Sequence, residues 1–179
     1  IKMNKPKIAL TIAGTDPTGG AGVTADLKSF HSCGVYGMAT ITSIVAQNTL
    51  GVQHIHNLET SWVKEQLDSI FSDELPQAIK TGMIATKETM ELIRDYLSTH
   101  ADIPYVLDPV MLAKSGDSLM DDDTKDHLQS TLLPLADVVT PNIPEAEEIT
   151  GLTINDEDSM RQVGSIFINE IGSKGVVIK

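Results

Sequence analysis

A glycine-rich segment, GTDPTGGAG at residues 14–22, is the first part of the sequence able to do chemistry. It follows a short apolar run and opens a helical pattern with Asp26 in its first turns. Glycines at such a junction let backbone N–H groups approach a ligand closely. Two generic phosphate-binding motifs are excluded. Gly20 and Ala21 stand where a Walker A loop needs Lys and Ser/Thr, and Gln47 and Asn48 replace the acid of a dinucleotide fingerprint. The segment predicts a ligand-binding loop of another kind; the alternative is a plain surface loop.

Side chains suited to an uncharged ring follow the next two predicted strands. Gln47 carries an amide that both donates and accepts hydrogen bonds, as the edge of a nitrogen heterocycle requires. Met83, in the segment KTGM, has a soft thioether that packs well against flat rings. Each residue also has an ordinary explanation, which is a surface amide for Gln47 and core filling for Met83.

Oxygen ligands for a metal ion follow the fourth and fifth predicted strands. Asp108 stands at the carboxyl end of a strand, before a loop that carries Lys114. Asn142 and Glu145 have N-x-x-E spacing at a helix start. Because Mg²⁺ takes few protein oxygens and keeps several waters, such residues can share one hydrated ion. The alternative is capping, of a turn or helix by Asp108 and of a helix start by the other two.

Three further residues have reactive or ligating side chains but a weaker pattern. His54 and His56 alternate on a predicted strand without a third ligand nearby in sequence, which favours a surface position over a metal site. Cys33 has no charged neighbour that would activate a thiolate, so we expect a small buried side chain. As the single cysteine, it excludes an internal disulfide and suits a reducing cytosol.

The elements that must position these residues alternate along the chain. Apolar or β-branched runs predict strands at residues 8–13, 40–45, 78–81, 106–107, 137–140 and 176–178. Helical spacing predicts helices at residues 23–33, 61–71, from 86 onward, 122–133 and 159–171. Residues 48–58 predict a flap or antiparallel excursion at the sheet edge. The order predicts an α/β fold, with a parallel sheet covered by helices on both faces and ligands at the carboxyl ends of its strands.

Composition limits the function classes. The 179 residues are 41% hydrophobic and 21% charged, which predicts one soluble globular domain over residues 1–179. The net charge of −12 repels phosphate backbones and anionic lipid, so a small molecule is favoured over nucleic acid or a membrane. The chain stops at Lys179 directly after a predicted strand. We therefore expect a fragment of something longer.

Six motifs, in order and with compatible spacing, resemble one family. They are ALTIAGTDPTGGAG, TADLK, VAQNT, KTGM, LDPVMLAKSGD and TPNIPEAEEITG. Together they are similar to the bacterial hydroxymethylpyrimidine/phosphomethylpyrimidine kinases of thiamine biosynthesis, in the ribokinase-like superfamily. The resemblance covers about residues 7–179 and looks like the N-terminal two-thirds of such a kinase. It implies a ribokinase-like αβα sandwich with a mostly parallel central sheet whose C-terminal part is missing.

The resemblance also implies an activity and a set of site residues. The activity is ATP- and Mg²⁺-dependent phosphorylation of 4-amino-5-hydroxymethyl-2-methylpyrimidine, and of its monophosphate to the diphosphate. The implied acceptor pocket consists of Gly14, Ala21, Asp26, Gln47, Met83 and Val110. Metal binding is implied for Asp108 and Glu145, and nucleotide binding for Asn142 and Lys179. The family's anion hole and cysteine base lie in a later GTGC segment, so no catalytic residue is assigned and the chain alone is expected to be inactive.

Two alternatives stay open. A vitamin B6 kinase of the same fold shares the general layout, although VAQNT and DPVMLAKSGD favour the pyrimidine kinase. A non-catalytic ligand-binding domain is the other alternative. We expect a cytoplasmic protein with a small-molecule substrate and without nucleic acid or membrane partners. A homodimer is also expected, with residues 48–58 as its candidate contact.

Overall fold

The computed structural model describes residues 5–111 and 119–179. This part of the chain contains eight strands: β1 Ile8–Ala13, β2 Tyr36–Ile41, β3 Ser43–Asn48, β4 Gly51–Asn57, β5 Ala78–Thr81, β6 Tyr105–Leu107, β7 Val138–Val139 and β8 Gly175–Val176. It also contains six α-helices: α1 Gly22–Ser32, α2 Thr60–Phe71, α3 Lys87–Thr99, α4 Asp122–Thr131, α5 Ile143–Thr150 and α6 Glu157–Ile166. A 3₁₀ turn, Leu133–Leu135, follows α4, and a π-helical turn, Phe167–Ile171, extends α6.

Six strands form one parallel sheet in the order β2-β1-β5-β6-β7-β8. All six residues of β1 are buried, as expected for a parallel strand covered on both faces. From β1 the chain crosses to β2 on one side, and the strands from β5 to β8 then follow in sequence on the other side. The strand order therefore reverses between β1 and β5. Open α/β sheets bind ligands at the carboxyl ends of the strands beside such a reversal.

The helices divide between the two faces of the sheet. Right-handed crossovers in opposite directions place α1 on one face and the later helices on the other. Packing agrees, because α1 contacts β1 and β2, whereas α2 packs on α3, α3 on α4 and α5 on α6. The main core lies under these later helices and includes Leu10, Ile12, Leu67, Ile93, Leu107 and Phe167. Among the described residues, no helix combines the length and the apolarity needed to cross a bilayer.

Side-chain caps fix most of the helix starts. Thr86, Asp121, Asn142 and Asp156 each accept a hydrogen bond from the backbone N–H three residues later. Such caps satisfy amide groups that have no partner within the helix. The predicted helices at residues 122–133 and 159–171 were too long at their C-terminal ends, because the α-helical hydrogen bonding gives way there to the 3₁₀ and π-helical turns.

The prediction of one strand at residues 40–45 is wrong. These residues span the end of β2 and the beginning of β3, which belong to different sheets. The N–H of Thr42 still donates to the carbonyl of Ala13 in the main sheet, and its carbonyl accepts from Leu58. Beyond Thr42 the chain leaves the sheet and forms the antiparallel hairpin β3–β4. The excursion predicted for residues 48–58 is therefore correct, but it begins earlier, at β3.

Candidate active site

A cavity of about 720 Å³ opens at the carboxyl ends of the strands, beside the reversal between β1 and β5. It is lined by the loop after β1, the β3–β4 hairpin and the residues that follow β5, β6, β7 and β8. All ten residues assigned to the site from sequence border it: Gly14, Ala21, Asp26, Gln47, Met83, Val110, Asp108, Asn142, Glu145 and Lys179. The fold thus brings together residues that are up to 165 positions apart, from Gly14 to Lys179. Lys114, also noted in the sequence, lies outside the described residues.

The loop after β1 is organised by Asp16, which sequence reasoning missed. Its carboxylate accepts hydrogen bonds from the N–H of Thr18 at 2.9 Å and of Gly20 at 3.0 Å, and only 4% of the residue is exposed. Burial alone would raise the pKa of Asp16, but hydrogen bonds from Gln47, Thr18 and Gly20 outweigh it and lower the pKa to about 2. Two loop N–H groups, those of Thr18 and Gly20, are therefore satisfied by Asp16 rather than turned toward a ligand. The Asp-x-Thr pattern of an Asx turn was the available signal.

This carboxylate makes the stability of the loop depend on pH. Because the folded pKa of about 2 lies below the ordinary 3.8, ionised Asp16 stabilises the fold above pH 4, and the effect is lost as the pH falls toward 2. Asp16→Asn should lower the free energy of unfolding by about 2 kcal/mol at pH 7 and by roughly half as much at pH 3. Urea denaturation at both pH values measures this. Asp102→Asn, in the exposed turn before β6, is the control. The prediction would be contradicted if Asp16→Asn lowered the free energy of unfolding equally at both pH values.

One wall of the cavity is apolar. Gly14 lies against Met83, so that a Cβ atom on Gly14 would come within 2.8 Å of the Met83 Cε atom and within 3.6 Å of a Val45 methyl group. Met83 is held in place because the hydroxyl of Thr42 donates to its carbonyl at 2.9 Å. Gly14, Val45 and Met83 thus form a shallow apolar surface beside the start of α1. A flat ring can lie on it.

Gln47 lies inside β3. The sequence had predicted a position after the end of a strand. The β3–β4 pairing shifts between Ala46 and Gln47, because Ala46 pairs with His54 whereas Gln47 pairs with Val52. Such a bulge locally redirects the strand and is common beside functional sites. Gln47 is half-buried and borders the cavity. Its amide lies close enough to the Asp16 carboxylate to help lower the pKa of that acid.

Charged side chains of alternating sign form a row along the cavity. Lys80 Nζ lies 2.9 Å from Asp26 Oδ2 and 3.8 Å from Asp108 Oδ2, and Lys179 Nζ lies 2.9 Å from Asp108 Oδ1. The hydroxyls of Thr11 and Thr140 donate to Asp26 and Asp108, respectively. Sequence reasoning named both acids and Lys179 but gave Lys80 no role. A lysine in the otherwise short and apolar β5 was the signal for it.

Asn142 and Glu145 form a capping box at the start of α5. Asn142 Oδ1 accepts from the Glu145 N–H at 2.8 Å, and Glu145 Oε2 accepts from the Asn142 N–H at 2.9 Å. The capping alternative is therefore correct, yet both residues also border the cavity. Glu145 is almost fully buried. Burial raises the pKa of its carboxyl group, and the negative charge of Asp108 adds to that increase.

The oxygen atoms at this edge of the cavity suit Mg²⁺. The carboxylates of Asp108 and Glu145 repel each other, and a cation between them would remove that repulsion. No three His, Cys, Asp or Glu side chains converge on one point in residues 5–111 and 119–179. Two carboxylates and an amide nonetheless fit an ion that keeps several waters and takes few protein ligands.

The remaining candidates lie outside the cavity. His54 and His56 are both exposed on β4, which agrees with the surface position favoured for them. Cys33 is exposed at the end of α1, so the expectation of a buried side chain is wrong. Its backbone N–H closes the helix by donating to Ser29 and Phe30, while the side chain points away from the core.

Known proteins share both the sequence and the fold. Residues 16–179 match the family model for phosphomethylpyrimidine kinase. The hydroxymethylpyrimidine/phosphomethylpyrimidine kinase of Staphylococcus aureus (strain MSSA476) is 80% identical over 177 residues, which cover 99% of this chain and 64% of that protein. The crystal structure of phosphomethylpyrimidine kinase from Clostridium difficile 630 is 44% identical, with a TM-score of 0.89 over 97% of this chain and 74% of the other.

A further solved structure, the pyridoxal kinase from Staphylococcus aureus in complex with pyridoxal, is 34% identical, with a TM-score of 0.87 over 98% of this chain and 65% of the other. These structures confirm the ribokinase-like α/β fold with its mostly parallel sheet. The chain spans just under two thirds of the length of the S. aureus pyrimidine kinase that it matches. On this sequence match, and with described residues from all six motifs bordering one cavity, the chain belongs to the phosphomethylpyrimidine kinase family.

Proposed function

We propose that this chain supplies the acceptor site and part of the phosphate site of a kinase of thiamine biosynthesis. The reaction is the ATP- and Mg²⁺-dependent phosphorylation of 4-amino-5-hydroxymethyl-2-methylpyrimidine, and of its monophosphate to the diphosphate. The observation that carries the proposal is the convergence of all ten family-matched residues on one cavity. The names of the relatives support the same activity.

The acceptor end of the cavity suits a small aminopyrimidine. The apolar surface of Gly14, Val45 and Met83 would contact one face of the ring. The Gln47 amide would pair with the amino and ring-nitrogen edge, which offers one donor beside one acceptor. Ala21, Val110 and Asp26 complete this end of the cavity. With the ring so held, the hydroxymethyl oxygen would face the charged row.

The phosphate end of the cavity is the edge with Asp108, Asn142, Glu145 and Lys179. We propose that Asp108 and Glu145 hold Mg²⁺ directly or through water, and that Asn142 and Lys179 contact the nucleotide phosphates. When bound, Mg²⁺ would supply neutralisation of the phosphate charge. Lys179 would add a positive charge at this edge, where its ammonium group is paired with Asp108. Phosphoryl transfer depends mainly on such positioning and electrostatics.

Acceptor preference tests this proposal against a vitamin B6 kinase, the second candidate, which the pyridoxal kinase structure supports. In an enzyme of the relatives' full length that contains this sequence, kcat/KM for the aminopyrimidine should exceed that for pyridoxal. Gln47→Ala should weaken aminopyrimidine binding by ~1–3 kcal/mol, because ring-edge hydrogen bonds are lost and a polar ligand group is left unpaired. Steady-state kinetics with both acceptors and calorimetry of binding provide the measurements.

Gln53 offers a matched control in the same hairpin. It is exposed on β4, and its amide donates to the carbonyl of Gly51 at 2.7 Å. Gln53→Ala should leave the binding of both acceptors, and kcat/KM for both, unchanged. Equal or reversed preference between the two acceptors would favour the vitamin B6 kinase, and aminopyrimidine binding without any phosphorylation by the full-length enzyme would favour a non-catalytic binding domain.

We further propose a homodimer, a single domain over residues 1–179 and a cytoplasmic location. Exposed apolar side chains support the dimer: Ile44 and Leu50 on the hairpin and Trp62 on α2 are 47%, 90% and 62% exposed. The core that joins Leu10 to Phe167 supports one domain. A single exposed cysteine suits a reducing compartment. Sedimentation equilibrium of the full-length enzyme and of its Leu50→Ser variant tests the dimer contact.

A further inference from the structure

Lys80 is a half-buried lysine that contacts two carboxylates at once. Its ammonium nitrogen lies 3.1 and 2.9 Å from the two Asp26 oxygens and 3.8 Å from Asp108 Oδ2, and only 20% of the side chain is exposed. Gly82 makes room for it, because a Cβ atom at that position would come within 3.1 Å of the Lys80 nitrogen and of the Ala13 methyl group. The lysine thus lies between the acceptor end and the phosphate end of the cavity.

The two carboxylates depend on Lys80 to different degrees. Among the described residues, Lys80 is the one cation within ion-pair distance of Asp26. The neutral hydroxyl of Thr11 also donates to Asp26, at 2.6 Å. Asp108 has a second cation, Lys179, at 2.9 Å, besides the hydroxyl of Thr140 at 3.2 Å. Loss of Lys80 would therefore release Asp26 from its fixed position but would leave Asp108 paired.

We propose that Lys80 is a positioning residue that couples acceptor binding to metal binding by sharing its charge between Asp26 and Asp108. This inference rests on the function proposed above. With Lys80 in place, Asp26 is held ready for the acceptor, and the negative charge at Asp108 is partly neutralised. Removal of the ammonium group leaves Asp26 without its cation, with the Thr11 hydroxyl still bound, and at the same time makes the surroundings of Asp108 more negative. The two ends of the cavity therefore respond in opposite directions.

Lys80→Met tests this coupling, because methionine approximates the length of the lysine without its charge. In the full-length enzyme, the dissociation constant of the aminopyrimidine should rise about ten-fold, as a charge-assisted hydrogen bond is lost. The dissociation constant of Mn²⁺, the probe for the metal, should fall roughly three-fold, since a positive charge close to Asp108 is removed. Calorimetry and Mn²⁺ electron paramagnetic resonance measure the two constants. Lys80→Arg keeps the charge and should restore aminopyrimidine binding to within about three-fold of the original.

Asp26→Asn is a second and milder variant, since asparagine can still accept from Thr11. Without the Asp26 charge, Lys80 pairs with Asp108 alone, so Mn²⁺ binding should weaken about three-fold. In the Lys80→Met background the same substitution should change Mn²⁺ binding much less. Lys174→Met, which removes the partner of Asp137 at the opposite end of the strands, is the control and should alter neither constant.

Weakening of both ligands together by Lys80→Met would show a purely structural role and overturn the proposal. An Asp26→Asn variant with unchanged Mn²⁺ binding would overturn it as well, and this holds even if Lys80→Met fails to fold. Aminopyrimidine binding that is present but insensitive to Lys80→Met would overturn only the coupling. Absence of aminopyrimidine binding in the unsubstituted enzyme would overturn both the coupling and the proposed function.

Discussion

Asp108→Asn is expected to lower kcat/KM for the magnesium nucleotide by roughly 10²-fold, the size typical for loss of one preorganised electrostatic contact. The substitution removes the negative charge that would hold Mg²⁺ but keeps an oxygen that can accept from Thr140 and Lys179. The free energy of unfolding should therefore change by less than about 1 kcal/mol. Steady-state kinetics of the full-length enzyme and urea denaturation of the same samples provide both values.

Asp137→Asn is the matched control for this experiment. Asp137 also pairs with a lysine, Lys174, and accepts from a backbone N–H, that of Tyr105 at 2.8 Å, but it lies at the amino ends of β6 and β7. The ion pair and this hydrogen bond lower the pKa of Asp137, so its substitution should reduce stability and leave kcat/KM unchanged. Intact turnover in Asp108→Asn together with a large loss of stability would instead assign Asp108 a capping role.

The strands of the main sheet show what can be predicted from sequence. β1 and β5 were predicted at their observed positions. β1 is a fully buried, continuous apolar run that ends at Gly14, whereas β5 is a short run around Ile79 that contains Lys80 and is followed by Gly82. Most of β2 was missed, since its first four residues include Gly37, a weak strand former. That glycine is needed because a Cβ there would come within 2.7 Å of Leu27 on the overlying helix α1. This reason depends on packing between two elements, so it cannot be predicted from the periodicity of one segment.

Some site residues could also be predicted from the sequence, and others could not. Asp108 and Gln47 were found from their position near strand ends and from family motifs, and both border the cavity. Asp16 and Lys80 were not given roles, because each acts through partners that are distant in sequence or on the far side of a turn. Lys80 meets Asp26 from 54 positions away. No spacing rule within one element predicts such a pair, whereas strand order does, by placing β5 next to β1.

Helix capping also explains why one motif supported two interpretations. The N-x-x-E spacing of Asn142 and Glu145 satisfies the first amides of α5, and the same geometry turns that end of the helix toward the cavity. Capping and ligand binding are therefore not exclusive here. Sequence alone could not separate them, since the capping partners lie within four residues whereas the cavity is lined by six separate segments of the chain.

Gly22→Ala should be the most destabilising of the substitutions considered, with a loss of about 3–4 kcal/mol in the free energy of unfolding. Gly22 has a φ of +56°, which is unfavourable for alanine, and a Cβ atom there would overlap the carbonyl oxygen of Gly14. That oxygen also accepts the N–H of Val23 at 3.0 Å, so the turn that joins β1 to α1 closes on itself at this point. Gly22→Ala should also abolish acceptor binding, because displacement of this turn would move Gly14, which forms part of the apolar surface.

Gly34→Ala separates backbone strain from the steric overlap. Gly34 has a φ of +72°, but a Cβ atom there would have no heavy atom within 4 Å beyond its chain neighbours. Its substitution should cost only about 1 kcal/mol, the strain of a left-handed alanine. Urea denaturation and calorimetric binding of the aminopyrimidine should therefore show a large loss of both stability and binding for Gly22→Ala and a small loss of stability alone for Gly34→Ala. Equal losses of stability in the two variants would mean that the loop can shift to accommodate a side chain, and that close contact between Gly14 and Gly22 does not shape the acceptor pocket.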